Sequence, residues 1–145
     1  MRLMLTLSLC LALGQGPLKA QTNITWDLLG DVTFESNYAP EYGVSILTAT
    51  FGQWVKAFEQ KEVYISGYVI PLDPMGISYA LSRNPNSSCF FCGGSGPETV
   101  LGLNRKPGSL KKYEVDQIKT FKGTLKMNRT DEKEFIYVLE NAVEM

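Results

Sequence analysis

The sequence contains no histidine. That absence removes Ser-His-Asp and Cys-His nucleophile systems, every histidine-ligated metal site and a histidine pH switch, because each requires an imidazole. Cysteine is scarce, with three in 145 residues. Neither sign of charge dominates, with 14 basic against 15 acidic residues and a sequence pI near 5.5. No basic stripe stands out, so nucleic acid is not an expected partner: phosphate recognition depends on clustered Lys and Arg that release counterions. No apolar run is long enough to span a bilayer. The 13 glycines follow no three-residue period, which excludes collagen. What is present, 44% hydrophobic and 20% charged residues, excludes a disordered chain and is the make-up of one ordinary globular domain.

Residues 1–20 have the layout of a secretory signal peptide: Arg2, a mainly apolar run over 3–13 and the small Ala20 at the expected cut. Cys10 leaves with it. Loss of Arg2 and Lys19 leaves 12 basic and 15 acidic residues over 125, a net charge of −3. The expected mature chain, residues 21–145, is a single β-rich domain without a transmembrane segment, periplasmic or secreted. In that oxidising compartment its only cysteines are Cys89 and Cys92.

Phe51, Trp54, Val55 and Phe58 fall at i, i+3, i+4 and i+7, which predicts a short helix capped by Thr48 or Thr50. In residues 61–70, Val63, Ile65, Gly67 and Val69 alternate with Tyr64, Ser66, Tyr68 and Ile70, which predicts a strand ended by Pro71. Phe121, Gly123, Leu125 and Met127 alternate with lysines and a threonine in the same way, and residues 135–139 pair with them as a hairpin turning at the polar segment around Asp131. Further strands are expected at 77–81 and 99–103. Five short strands, two with an interior glycine, point to a sheet that coils into a closed or half-closed OB-like barrel with one or two short helices. Residues 21–46, where Trp26, Phe34, Tyr38 and Tyr42 show no sustained period, read as an arm packed over a barrel made by 47–145.

Residues 84–98 are the segment suited to chemistry. They form a long loop that holds Cys89 and Cys92 three positions apart, followed by Gly93, Gly94 and Gly96, whose backbone is free to adopt left-handed conformations and expose N–H groups. Four readings of the pair stand together. A disulfide would close a four-residue ring, a gain of about 2 kcal/mol from the chain-entropy relation. Two thiolates would supply half a tetrahedral zinc shell, with Glu98 as a candidate third ligand, or the whole of a copper(I) site, since soft thiolates suit that ion and two ligands suffice. A redox pair would need a stabilised thiolate, for which Arg83 is the nearby cation. The fourth, a c-type haem site, is excluded because Gly93 stands where the axial histidine must follow the second cysteine. Phe90 and Phe91 either shield the site or anchor the loop, and burial of at least one in the core is expected. Asp73, Glu98 and Asp131 are too separate in sequence to read as a catalytic carboxylate pair, and Asp73-Pro74-Met75-Gly76 has the make-up of a turn.

Gly67-Tyr68-Val69-Ile70-Pro71-Leu72, then Ser88-Cys89-Phe90-Phe91-Cys92-Gly93-Gly94 with Gly96-Pro97-Glu98, and finally Gly123-Thr124-Leu125-Lys126-Met127-Asn128 resemble a group of small exported bacterial proteins of unknown function, found in Bacteroidetes-type genomes. The resemblance runs from about Trp26 to Ala142. This group in turn resembles a broader uncharacterised family with the same Gly-Tyr-x-x-Pro strand, associated with exporter-like ABC transporters and zinc-responsive gene sets. There a Cys, a His and a proline run occupy roughly the place of residues 89–97, whereas here only Cys89 matches. The resemblance implies an envelope partner, a transporter or other periplasmic protein, and it carries over no catalytic residue. The resulting expectation is a non-enzymatic accessory protein that handles zinc or copper through Cys89 and Cys92. A partner-binding module with a structural disulfide and a thiol-disulfide redox protein are the alternatives.

Overall fold

The computed structural model describes residues 21–41, 43–109, 111–129 and 133–145. The expected signal peptide with Cys10, and also Tyr42 and Asp131, lie outside the described residues. The elements in chain order are α1 (Trp26–Leu29), β1 (Val32–Ala39), β2 (Val44–Phe51), α2 (Gln53–Lys56), β3 (Glu62–Pro71), β4 (Tyr79–Ser82), β5 (Val100–Arg105), β6 (Ile118–Met127) and β7 (Tyr137–Glu144).

β3 to β7 close a mixed barrel in the order β3-β4-β5-β7-β6. All neighbours are antiparallel except β5 and β7, which run parallel. Numbered within the barrel, the order is 1-2-3-5-4 with strands 3 and 5 parallel, the connectivity of an OB-type barrel. The two long strands follow the alternation in the sequence: Val63, Ile65, Gly67 and Val69 of β3 and Phe121, Gly123, Leu125 and Met127 of β6 are buried and their neighbours are not, except Ile70, which is buried in a second small cluster with Ala80 and Val100. Leu81, Leu101 and Leu139 fill the interior from the other three strands. An edge-to-face run of Tyr79, Tyr113 and Phe121 packs beside them, with centroids 5.3 and 5.6 Å apart.

The interior glycines act by close approach. A Cβ on Gly67 would stand 2.6 Å from the Ser82 carbonyl oxygen, and one on Gly123 would stand 2.7 Å from that of Glu140. At these two points the neighbouring strand crosses where a side chain would otherwise stand, and the barrel can be narrow.

Several boundaries move. The predicted helix is a single turn: Phe51 ends β2, Val55 is buried and Trp54 is 68% exposed. Thr48 and Thr50 do not cap it because both belong to β2. The Asp31 carboxylate accepts instead from the backbone N–H groups of Trp54 and Val55, at 2.8 and 3.0 Å. β4 begins only at Tyr79, leaving Ile77 exposed, and β7 extends to Glu144.

Before the barrel, the chain adds a two-stranded sheet. β1 and β2 pair antiparallel from Val32↔Phe51 to Ala39↔Val44, so a strand runs across residue 46, where arm and barrel were expected to meet. The segment is fastened at its base: Ile24 N–H donates to the Tyr64 carbonyl, Phe51 packs on Tyr137 at 5.3 Å, and the Tyr137 hydroxyl donates to the Leu29 carbonyl at 2.7 Å. Tyr38, Val44 and Leu47, farther out, are exposed.

Candidate functional site

The cysteine-bearing loop connects β4 to β5. Its neck is closed by the Arg83 N–H donating to the Thr99 carbonyl at 2.9 Å. Turn-forming side chains then brace it across the middle. The Asn84 amide donates to the Ser95 hydroxyl at 2.6 Å, and that hydroxyl donates to the Ser88 carbonyl at 2.8 Å. The Asn86 N–H reaches outside the loop to the Asp116 carboxylate at 2.7 Å, on the connection between β5 and β6. The loop is therefore closed at its neck, braced across its middle and tied outside itself through Asp116, although residues 83–99 contain no strand.

Within this frame the chain makes two successive 3-10 turns, Asn86–Ser88 and Phe90–Cys92, with extended Cys89 between them. The Cys89 carbonyl accepts from the Cys92 N–H at 3.1 Å, which folds the two cysteines onto one turn. Gly93 ends that turn at φ +73°, a left-handed conformation that glycine adopts without strain. At Gly94 the chain passes so near Ser88 that a Cβ would lie 2.9 Å from its carbonyl oxygen.

Cys89 is fully buried and Cys92 exposed, and both are free thiols, so the disulfide ring among the sequence readings is not formed. Both sulfurs address Asn86: the Cys92 thiol donates to its backbone carbonyl at 3.1 Å, and the Cys89 thiol lies 3.9 Å from its side-chain oxygen. Desolvation pushes the Cys92 pKa up, and the neighbouring Cys89 adds to the effect by charge and hydrogen bonding. Cys92 is favoured as a thiol rather than a thiolate.

The other predicted residues fall elsewhere. Arg83 forms an ion pair with Asp27 of α1 at 3.1 Å. Glu98 folds back on its own turn, its carboxylate lying over Gly96, where a Cβ would stand 2.3 Å from an oxygen. Among the described residues no three His, Cys, Asp or Glu side chains gather in a metal-holding group, so Glu98 does not complete a shell with the cysteines. Neither Phe90 nor Phe91 is a core anchor: they are 37% and 49% exposed. Phe91 rests edge-on against Phe135 at 5.9 Å, and Phe90 against Phe91 at 5.7 Å. Phe135 in turn lies over Gly102 of β5, which explains how two aromatic rings stand outside the core and yet are supported. Asp73 is used up within its turn, accepting from the N–H groups of Met75, Ile77 and Ser78, and these bonds hold its pKa below the ordinary carboxylate value.

Sequence reasoning missed Asn84, Asn86, Ser95, Asp116 and Phe135. The first three carried a signal, being Asn and Ser in a turn-rich segment. Asp116 and Phe135 reach the loop only through the tertiary fold.

No protein-family model matches the chain, and no curated protein or solved structure is significantly similar to it.

Proposed function

We propose that the chain is an exported, non-enzymatic accessory protein that holds a soft, thiol-seeking cation, copper(I), between Cys89 and Cys92. The observation that carries this reading is the pair of free thiols folded onto one turn with both sulfurs turned to Asn86. The donor set decides between metals. Two thiolates suffice for copper(I), whereas zinc requires about four ligands and the described residues supply no third beside the pair. Zinc would fit only with ligands from a partner. Cys89 and Cys92 would each give up a proton when the ion binds, so uptake weakens as the pH falls.

The described surroundings of the pair lend a redox role little support. An activated thiolate needs a nearby cation or a lowered pKa; Arg83 is engaged with Asp27 and the Cys92 pKa is raised. A partner-binding module is the second reading, favoured by the display of two adjacent phenylalanines to solvent on a braced loop.

Counting free thiols and bound metal on one native sample separates these readings. The metal reading expects protected thiols and copper, both lost in the Cys89→Ser, Cys92→Ser variant. Metal retained in full by that variant would overturn it.

A further inference from the structure

The hairpin at the start of the chain is unusual in what it leaves open. β1 and β2 form a sheet of only two strands, so each keeps one unpaired edge of backbone N–H and C=O groups along eight residues. Monomeric proteins protect such edges with lysine, proline, bulges or a covering element. Here the pairing runs without a register shift, and the two strands contain no lysine, arginine or proline and a single charge, Glu35.

The two edges differ. Beside β2 lies a groove of about 370 Å³ whose far wall includes Arg129, Glu134 and Ile136, so that edge faces the chain's own barrel. Among the described residues the edge of β1 has β2 as its only strand neighbour, and Thr33 and Glu35, Ser36, Asn37 and Tyr38 are exposed.

We infer that β1 pairs along this edge with β1 of a second copy of the chain, antiparallel about a two-fold axis through Ser36, to make a four-stranded sheet. The register follows from chemistry and from the pleat. Residues opposite each other must face the same side, so the axis passes through a residue and not between two. An axis at Glu35 would set two carboxylates against each other. At Ser36, Glu35 faces the partner's Asn37, which can donate to it, and Phe34 faces the partner's Tyr38, each pair occurring twice. Tyr38, 66% exposed in the single chain, gains an aromatic neighbour. The contact is isologous and closes at two copies. This inference is independent of the thiol site.

Sedimentation of the purified full chain over a range of concentrations tests it. The expected mass rises from one chain to two. Ser36→Lys sets two ammonium groups face to face on the axis and is expected to hold the chain at one copy. Thr48→Lys, opposite Glu35 inside the hairpin, is expected to leave the dimer in place. A wild-type chain that stays single up to millimolar concentration overturns the inference, as does a Ser36→Lys variant that dimerises normally. To guard against a hairpin simply melted by the lysine, Ser36→Cys in a Cys92→Ser background reports by cross-linking. Ser36 pairs with itself in this register, at a Cα separation that a disulfide can bridge, so an oxidised dimer is expected and its absence contradicts the register.

Discussion

Replacing Gly123 by alanine sets two physical effects against each other. Backbone entropy alone predicts a gain, because alanine in place of glycine inside a strand is worth roughly 0.5–1 kcal/mol. Sterics predict the reverse. The new Cβ would lie 2.7 Å from the Glu140 carbonyl oxygen, 2.7 Å from Leu139 Cγ and 3.3 Å from Ala142 Cα. Comfortable separations are about 3.5–4.0 Å, so β7 must retreat by about 1 Å from β6. The β6–β7 register already shifts between Lys122 and Thr124, and β7 is held on its other side by β5, so a closed barrel has little room to yield. Overpacking of this kind costs roughly 1–3 kcal/mol. The net expectation is a loss of about 1–2 kcal/mol, and a melting temperature lower by about 3–10 °C for a domain of this size. Thermal and urea unfolding followed by circular dichroism measure it. Gly67→Ala, against the Ser82 carbonyl, should behave alike. A Gly123→Ala protein as stable as the parent, or more so, would refute the argument that this glycine is set by the approach of β7.

Other outcomes follow from the same contacts. Glu144 is held to a pKa of about 2 by hydrogen bonds from Lys111 and Lys119, with Tyr113 contributing. Its folded value lies below the ordinary 4.5, so its contribution to stability is complete above about pH 4.5 and is lost as the pH falls through about 2. The stability gap between wild type and Glu144→Gln, read from urea unfolding, should therefore be widest near neutrality and close in acid; parallel curves would contradict this. In the native protein an alkylating reagent should modify Cys92 and spare Cys89, and the Cys92 reaction should rise toward a higher pH than for an unperturbed thiol. Mass mapping of the labelled cysteines decides it, and equal labelling of both would show that Cys89 is not enclosed.

The barrel was legible because its longest strands carry strict alternation: Val63 to Val69 and Phe121 to Met127 cannot hide their apolar residues any other way. The β1–β2 hairpin was not, because only its base packs. Val32, Phe34, Ala49 and Phe51 share one face near the barrel, but farther out that face continues through Ser36 and Ser45 and its period dissolves. The helix prediction failed at Trp54 for a related reason: Phe51 is apolar because it ends a strand against Tyr137, and its spacing to Phe58 spans two elements. The site was legible as a loop with two thiols and a necessary left-handed glycine at Gly93. Its surroundings were not. The partners of Arg83, Glu98 and Phe91 are Asp27, the turn at Gly96 and Phe135, and local chemistry names none of the long-range contacts among them.

Copper(I) binding as proposed requires Cys89 and Cys92 to act as one ligand set. Anaerobic titration of the reduced chain with copper(I), in competition with a chromophoric chelator, measures that directly. One ion bound per chain, abolished when either cysteine is replaced by serine, is the predicted result. Binding that survives the loss of Cys89, or a reduced wild-type chain that takes up no copper(I), would contradict it.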